Sequence, residues 1–273
     1  MIGKGGASLE TTLQGCRIHY VLHRNEKADA PVVVLLHGWG CDGSVFSFLE
    51  REIVEQCTLL IIDFPGHGKS DEPPEPWGVP EYAQQMLSLL DELQLDRVYV
   101  VAHSFGGRVA LELATKKPEL IEKLVITGGA GIKKQPSPEQ MKRQAAFKRM
   151  NKILNAVKKV PFLAGLADQL QTKLRQRYGS ADYIRLNENM RKTFVKVISY
   201  DQLELLSQVK ASTLLIWGSN DTETPLWMGQ QMEKEIPDAG LIVFDGRGHF
   251  AFAEEWQRFT IILKQFFFGG QNA

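Results

Sequence analysis

The stretch VVAHSFGGRVALELA, from Val100 to Ala114, places a serine between a run that favours a strand and a run that favours a helix. Residues 98–101 are β-branched and aromatic, which suits a buried strand. After Gly107, apolar residues recur at spacings that give a helix one apolar face. Ser104 therefore lies in the turn of a strand–turn–helix unit. There it can be a helix N-cap, a position that serine fills well, or a nucleophile held on a tight turn.

Small residues on both sides of Ser104 fit the second interpretation. Ala102 and Gly106 lie two positions before and two positions after it, where a sharp turn crowds the chain. Gly107 then allows the helix to pack close to the sheet. The commonest form of this turn has glycine where Ala102 stands, and alanine is a small departure in size. The N-terminus of the helix would also favour negative charge developing at the serine.

The chain around this unit alternates between strand and helix patterns. Two strands at 7–13 and 16–22 flank the turn Gln14-Gly15. From Pro31 onwards, continuous apolar strands alternate with amphipathic helices, with strands predicted at 31–36, 58–63, 97–102 and 123–127 and helices at 44–55, 80–93 and 105–116. Continuous apolar strands are typical of a parallel sheet covered on both faces. The sequence thus predicts an α/β fold with a mostly parallel central sheet and helices on both sides.

The alternation stops after Gly128 and resumes near residue 213. The intervening segment has helical periodicity, is punctuated by prolines and a glycine, and contains no convincing strand. Strands are then predicted at 213–217 and 240–244, with helices at 225–236 and 251–268. We therefore expect one core domain, residues 1–131 and 201–273, interrupted by a helical insertion at 132–200, called the insertion below.

Length and composition exclude several classes of protein. At 273 residues, 44% hydrophobic and 23% charged, the chain resembles an ordinary globular protein. It has no apolar run of transmembrane length and no apolar core of a secretion signal. Cys16, Cys41 and Cys57 have no paired spacing, so we expect neither a disulfide framework nor a zinc site, only small apolar fillers. A cytoplasmic location is expected, and the zero net charge gives no general attraction to nucleic acid.

Charge is distributed unevenly along the chain. Residues 132–200 contain 16 Lys and Arg against 4 Asp and Glu, a net charge of +12, so the remainder carries −12. This basic segment is either a solvated face or a positive roof that favours anionic substrates. The apolar residues of the insertion either pack it onto the core or wall an acyl pocket; they include Met141, Phe147, Met150, Ile153, Leu154, Phe162, Leu163 and Leu166.

A serine nucleophile needs a base and a carboxylate that orients the base. In a parallel sheet, all three must follow strands, since the carboxyl ends of the strands meet at one edge. Asp221 follows the strand 213–217, and His249 follows the strand 240–244 within GRGHF. Either could instead be structural, Asp221 as a helix cap and His249 as a packed histidine. Glu223 is close enough to compete with Asp221, but Asp221 follows the strand more directly.

Two backbone N–H groups are needed to hold the oxygen of a tetrahedral intermediate. One is expected from Phe105, the residue after the candidate nucleophile. The other is expected from Trp39, within the His37-Gly38-Trp39-Gly40 loop that follows the first parallel strand.

Taken together, HGWG, DFPGHGKS, AHSFGG, GSNDTETP and GRGHF resemble the motifs of the α/β-hydrolase superfamily, in order and spacing, from Pro31 to the last helix. The segment HGWGCDGSVF is also similar to the hydrolase-like signalling receptors. The resemblance implies that the insertion is a lid and that Asp63, with Gly66 and Gly68, shapes a loop. We assign structural roles to the histidines in tight turns, namely His37, His67 and His103.

The resemblance, with Ser104, Asp221 and His249, implies a serine hydrolase acting on a carboxylic ester or related small acyl substrate. It requires neither cofactor nor metal. A serine in the nucleophile position argues against the haloalkane dehalogenase and epoxide hydrolase branches, which need a carboxylate there. Two alternatives remain: hydrolysis of a carbon–carbon bond in a vinylogous diketone, and a ligand receptor with slow turnover.

Overall fold

The computed structural model describes residues 6–27, 29–134, 138–178 and 181–269. Within them one eight-stranded sheet forms the centre of the molecule, in the order β1-β2-β4-β3-β5-β6-β7-β8. The strands are β1 (Ala7–Leu13), β2 (Cys16–His23), β3 (Val32–Leu36), β4 (Thr58–Ile62), β5 (Val98–His103), β6 (Ile121–Thr127), β7 (Ser212–Gly218) and β8 (Ala239–Phe244).

The sheet is antiparallel at one edge and parallel elsewhere. Strand β1 pairs with β2, and β2 pairs with β4, in antiparallel register. Gln14 and Gly15 join β1 to β2 with φ values of 52° and 74°, the left-handed pair that a tight hairpin turn requires. Strands β3 to β8 pair in parallel, so their carboxyl ends lie at one edge. The predicted mostly parallel α/β fold is confirmed.

Helices cover both faces of the sheet. They are α1 (Ser47–Ile53), α2 (Val79–Glu92), α3 (Phe105–Lys116), α4 (Pro138–Val157), α5 (Ala164–Tyr178), α6 (Ala181–Arg185), α7 (Glu188–Ser199), α8 (Leu226–Glu235), α9 (Ala251–Glu254) and α10 (Trp256–Phe268). One apolar cluster joins a face of the sheet to α2, α3 and α8. A second joins the opposite face to α1, α9 and α10. Burial of these two clusters removes large apolar areas from water and stabilises the three-layer arrangement.

Two predicted helices differ from the observed ones. The helix predicted at 44–55 is a 3₁₀ turn at Gly43–Phe46 followed by the shorter α1. The helix predicted at 251–268 is divided at Glu255, whose φ of −120° and ψ of 50° leave the helical region. The carboxylate of Glu255 accepts hydrogen bonds from Arg247 at 2.8 Å and Arg258 at 3.2 Å. Such side-chain hydrogen bonds do not appear in a helical periodicity, so the sequence pattern predicts one continuous helix here.

Helices α4 to α7 all lie between β6 and β7, where the sequence predicts the insertion. Helix α7 is bound to the loop that precedes α2. The Asn189 amide donates to the carbonyl of Pro73 at 2.7 Å, Lys196 donates to that of Pro76 at 2.6 Å, and the Trp77 N–H donates to the Thr193 hydroxyl at 3.1 Å. Helices α4 and α5 are joined by the amide pair Gln171 and Asn155 at 2.6 Å.

Five of the eight apolar residues predicted to pack the insertion or wall a pocket are exposed. They are Met141, Met150, Ile153, Phe162 and Leu166, with Phe162 85% exposed. For these five both interpretations are wrong, because their side chains on α4, on α5 and on the 3₁₀ turn Pro161–Leu163 between them are exposed to solvent. No helix among the described residues combines the length and apolarity needed to cross a membrane.

Candidate active site

Ser104 lies on a strained turn between β5 and α3. Its φ of 50° and ψ of −109° are rarely adopted by a residue with a side chain, and such strain costs on the order of 1–3 kcal/mol. Although Ser104 occupies the N-cap position of α3, its side chain makes no capping hydrogen bond. The hydroxyl therefore does not cap the helix, and the N-cap interpretation of this serine is wrong.

The glycines around Ser104 are required by close backbone contacts. A Cβ on Gly106 would lie 2.2 Å from the carbonyl oxygen of Leu36, at the end of β3. A Cβ on Gly38 would lie 2.9 Å from the ring of His103 and 3.3 Å from the Cβ of Ser104. Only glycine allows the three chain segments to approach this closely.

Asp221 and His249 form a direct pair at the same sheet edge. Nδ1 of His249 donates to Oδ2 of Asp221 at 2.8 Å, and the Asp221 side chain is fully buried. Burial raises the pKa of Asp221, but its hydrogen bonds with His249 and Thr224 outweigh burial, and the pKa is lowered overall. A charged Asp221 fixes the histidine tautomer that carries its proton on Nδ1, which leaves Nε2 able to accept a proton.

Thr224 and Gly128 support this pair, and the sequence analysis singled out neither for that role. The Thr224 hydroxyl lies 2.9 Å from Oδ2 of Asp221 and 3.2 Å from Nδ1 of His249. The backbone N–H groups of Glu223 and Thr224 each donate to Oδ1 of Asp221 at 2.9 Å. Gly128 has a φ of +50°, and a Cβ there would lie 3.2 Å from both the aspartate oxygen and the histidine nitrogen.

Ser104 and His249 both line one cavity of about 770 Å³ at the carboxyl edge of the sheet. No hydrogen bond joins the Ser104 hydroxyl to the His249 ring within the described part of the chain. Catalytic hydrogen bonds are often long before substrate binds. The structure thus brings Ser104 and His249 to one cavity, with Asp221 buried behind His249, and places one of the two expected side-chain contacts at hydrogen-bond distance.

The two predicted oxyanion donors also line this cavity. Neither the Trp39 nor the Phe105 N–H has a hydrogen-bond acceptor among the described residues. The Trp39 ring contacts the Phe105 ring edge-on at 5.4 Å and the ring of Phe194, on α7, at 5.1 Å. Backbone N–H groups without an acceptor are available to donate to a ligand, and an oxyanion site needs two of them directed at the same oxygen.

The other histidines of the motifs donate to the backbone. His37 donates from Nδ1 to the Gly38 carbonyl at 2.7 Å and accepts the Phe64 N–H on Nε2 at 3.0 Å, so it is neutral. His103 binds the Thr127 carbonyl at 3.0 Å. Burial lowers the pKa of His37 to about 4 and that of His103 to about 3. His67 binds the Pro65 carbonyl at 3.0 Å, and burial lowers its pKa as well.

Asp63 organises the loop after β4. One carboxylate oxygen accepts from the Gly43 N–H at 2.8 Å, and the other contacts His19 at 2.8 Å and accepts from the Lys69 N–H at 2.9 Å. A Cβ on Gly68 would lie 2.3 Å from this carboxylate. Asp63 is absent from the cavity lining.

The cavity wall is basic. Four cationic side chains and one carboxylate line it, namely Arg108, Lys133, Lys134 and Lys148 with Glu223. Cys41 lines it too, although we expected this cysteine to be an apolar filler; Cys16 and Cys57 are buried elsewhere. Among the described residues no group of His, Cys, Asp and Glu side chains could hold a metal ion.

Comparisons with known proteins agree with this fold. A family model described as the alpha/beta hydrolase fold matches residues 31–255. The 2-hydroxy-6-oxononadienedioate/2-hydroxy-6-oxononatrienedioate hydrolase of Cupriavidus pinatubonensis is 27% identical, over 97% of this chain and 96% of that one. The 2-hydroxy-6-oxo-6-phenylhexa-2,4-dienoate hydrolase of Comamonas testosteroni is 29% identical, over 88% and 87%.

A solved hydrolase from Pseudomonas aeruginosa has the same fold. Its TM-score is 0.72 at 24% identity, and the match covers 96% of this chain and 99% of that one. The family match spans most of the chain, including the strand ends that carry Ser104 and Asp221 and the residue His249. The chain therefore belongs to the α/β-hydrolase fold family.

Proposed function

We propose that the protein is a serine hydrolase in which Ser104 is the nucleophile, His249 the general base and Asp221 the residue that orients His249. The observation that carries this proposal is the combination, on one cavity, of a strained serine without a capping bond and a histidine bound to a buried carboxylate at 2.8 Å. This combination activates a hydroxyl that is otherwise a weak nucleophile.

The proposed reaction has two halves. Nε2 of His249 takes the Ser104 proton as the hydroxyl oxygen attacks a carbonyl carbon, and the N–H groups of Trp39 and Phe105 hold the resulting oxyanion. His249 then gives the proton to the leaving group, and an acyl-enzyme remains on Ser104. A water molecule, deprotonated by His249, attacks the acyl carbon and releases an acid and free Ser104.

The names of the relatives favour a carbon–carbon bond as the bond that is broken. Both are named as hydrolases of 2-hydroxy-6-oxo-dienoic acids, compounds that have a ketone at carbon 6 and a carboxyl at carbon 1. In such a reaction the departing carbon, rather than an ester oxygen, takes the proton from His249. The same three residues could also catalyse the hydrolysis of an ester, so ester hydrolysis is the second candidate function.

We further propose that the insertion, residues 132–200, acts as the lid of this cavity. Its contribution to the cavity wall comes from residues 132–134, from Lys148 on α4 and from α7, through Phe194, Val197 and Ile198. Because α7 is bound to the loop before α2, this part of the wall is fixed to the core.

A substrate comparison tests the proposed function. The purified protein would be assayed on 2-hydroxy-6-oxo-dienoates, whose conjugated absorbance disappears on cleavage, and on 4-nitrophenyl esters of increasing acyl length. Ser104→Ala is the matched control for both. We expect turnover of the dienoates with a kcat/KM at least about tenfold above the best ester, and a loss of about 10³-fold or more in the variant.

Three other outcomes are distinguishable. A higher kcat/KM on esters would select the second candidate. A single slow turnover, with ligand binding retained, would select a receptor role. Full activity in Ser104→Ala would overturn the proposal.

A further inference from the structure

Arg108 is a buried cation in the wall of the cavity that holds Ser104. Its side chain is 6% exposed, and it lies on the first turns of α3, four residues after Ser104. Residues four apart lie on the same side of a helix, about one turn or 6 Å along its axis. The backbone of Arg108 is therefore about one turn along α3 from the candidate nucleophile, and both residues line the cavity.

Arg108 has few partners for a group with five N–H donors. One nitrogen donates to the carbonyl of Tyr200 at 2.5 Å. No carboxylate lies within ion-pair distance of it among the described residues. Burial lowers the pKa of Arg108 to about 10, while the more distant Asp201 acts in the opposite direction. At neutral pH the side chain is therefore charged and lacks a direct counter-ion.

The nearest buried carboxylate on the same helix has other partners. Glu112, one turn after Arg108, accepts from the Tyr200 hydroxyl at 3.1 Å and from the Gln202 amide at 3.5 Å, and Lys116 lies 3.8 Å away. The Gln202 amide also donates to the backbone carbonyl of Arg108 at 2.9 Å. These contacts give Glu112 other partners and join α3 to the loop that contains Tyr200 and Gln202.

A buried charge without a counter-ion is unfavourable unless a partner of opposite charge binds to it. Here Arg108 lines the cavity, and one guanidinium nitrogen donates to the Tyr200 carbonyl. We propose that Arg108 binds a carboxylate of the substrate, and that the protein therefore acts on acyl compounds that carry a carboxylate about one helical turn from the carbonyl that Ser104 attacks. The inference rests on the proposed function, and it names the residue that would bind the carboxylate of the substrate.

The planar guanidinium favours a carboxylate, because its fork of N–H groups matches two carboxylate oxygens. Lys133, Lys134 and Lys148 differ from Arg108 in being exposed. Exposed lysines contribute a field that salt screens, whereas a buried, hydrogen-bonded contact is screened much less. We therefore expect Arg108 to bind the substrate carboxylate directly, and the lysines only to attract the anionic substrate to the cavity.

The wild-type enzyme provides the first test. The substrates are 4-nitrophenyl monoesters of succinic, glutaric and adipic acid and, for each, the compound in which the free carboxyl is methylated. We expect at least one anionic substrate to exceed its methylated partner by about tenfold or more in kcat/KM at high salt. Equal values across all three pairs would overturn the proposal.

Two variants localise the effect. In Arg108→Met, which keeps the length but not the charge, the ratio of anionic to methylated kcat/KM should fall about tenfold or more, mostly through KM. Arg108→Lys should retain part of the ratio. Arg97→Met, at an exposed arginine paired with Glu122, is the matched control and should leave the ratio unchanged. An unchanged ratio in Arg108→Met would overturn the proposal.

A binding experiment separates this inference from the proposed function. Thermal unfolding of Ser104→Ala would be followed with monomethyl glutarate and with dimethyl glutarate. A ligand that binds the native state raises Tm, so only the monoanion should raise it, and Arg108 substitution should remove the rise. This result would stand even if none of the esters were hydrolysed.

Two outcomes of the binding experiment would contradict the role of Arg108, whatever reaction the protein catalyses. They are no rise in Tm with the monoanion and the same rise in Tm with the neutral diester. Where Arg108→Met does not fold, Arg108→Lys and the wild-type comparison decide.

Discussion

Oδ2 of Asp221 lies 2.8 Å from Nδ1 of His249, whereas Glu223, two residues further along, makes no side-chain hydrogen bond with the ring in the part of the chain described. Asp221→Asn should therefore lower kcat strongly, by roughly 10⁴-fold if it behaves as the equivalent change does in serine proteases, because the amide favours the wrong histidine tautomer. Glu223→Gln is the matched control and should change kcat less than about threefold. The reverse order of effects would show that Glu223 is the acid.

Ser104 should be the residue that forms the covalent intermediate. The strained turn holds its hydroxyl in the cavity without a capping bond, so an electrophile that mimics an acyl group should react there. A fluorophosphonate probe should add its mass to the one peptide that contains Ser104, as measured by mass spectrometry. Ser104→Ala should abolish the labelling; labelling of another serine to the same extent would exclude Ser104 as the nucleophile.

Much of this site could be predicted from sequence because the topology is encoded locally. Apolar strands followed by polar loops place Ser104, Asp221 and His249 at one sheet edge, and the parallel pairing of β5 to β8 brings them together. Arg108 could not be found in this way, since an arginine in a helical pattern is typical of a solvent-facing position. Its burial depends on the loop at Tyr200, which is distant in sequence.

Contacts between side chains that are not encoded in a local pattern also explain why Thr224 and the exposure of the insertion could not be predicted. Thr224 contacts the Asp221–His249 pair through a turn whose shape is set by hydrogen bonds rather than by a residue pattern. In the insertion, periodicity predicts helices correctly, but it does not tell which apolar side chains find a partner. Phe162, for example, is apolar in sequence but exposed in the structure.

Gly128 should be needed for the distance between Asp221 and His249. Its backbone has a positive φ, and a Cβ would lie 3.0 Å from the His249 carbonyl and 3.2 Å from the two hydrogen-bonded side-chain atoms. Gly128→Ala should therefore lower kcat about tenfold or more, through displacement of the pair, and should lower Tm as well. Gly240→Ala is a suitable control, as a Cβ there meets no atom within 4 Å. Wild-type kinetics in Gly128→Ala would show that the pair tolerates the change.

The buried histidines should make the protein sensitive to acid. His37 and His103 have pKa values of about 4 and about 3 in the folded state, because burial disfavours the charged ring. In the unfolded chain the pKa is about 6.5, so between these values the unfolded state binds more protons. Stability should then fall as pH falls from about 6.5 towards 4, by about 1.4 kcal/mol per pH unit for each histidine.

Urea unfolding between pH 7.5 and pH 4.5 would measure this dependence. His37→Asn removes one of the buried histidines with a lowered pKa and should give a shallower dependence than the wild type, even if it is less stable at pH 7.5. His23→Asn, which removes a histidine paired with Glu50 at 2.7 Å, is the control. The same slope in His37→Asn as in the wild type would contradict the assignment of this acid sensitivity to His37.

The lysines of the cavity wall should attract anionic substrates in a manner that salt removes. Lys133, Lys134 and Lys148 all line the cavity, so the excess positive charge of the insertion is present at the reaction site and not only on a distant face. A field of one sign at a cavity mouth raises the local concentration of opposite charge. The Debye length falls from about 30 Å at 0.01 M salt to about 8 Å at 0.15 M. Over that range kcat/KM for an anionic ester should fall several-fold, whereas kcat/KM for its methylated partner should stay constant.

Two variants separate the lysines from Arg108. Replacement of the three lysines by glutamine should flatten the salt dependence of kcat/KM. Arg108→Met should keep the salt dependence and lose the preference for the anionic ester that remains at high salt. Flat salt dependence for both substrates in the wild type would identify the basic surface as an ordinary solvated face.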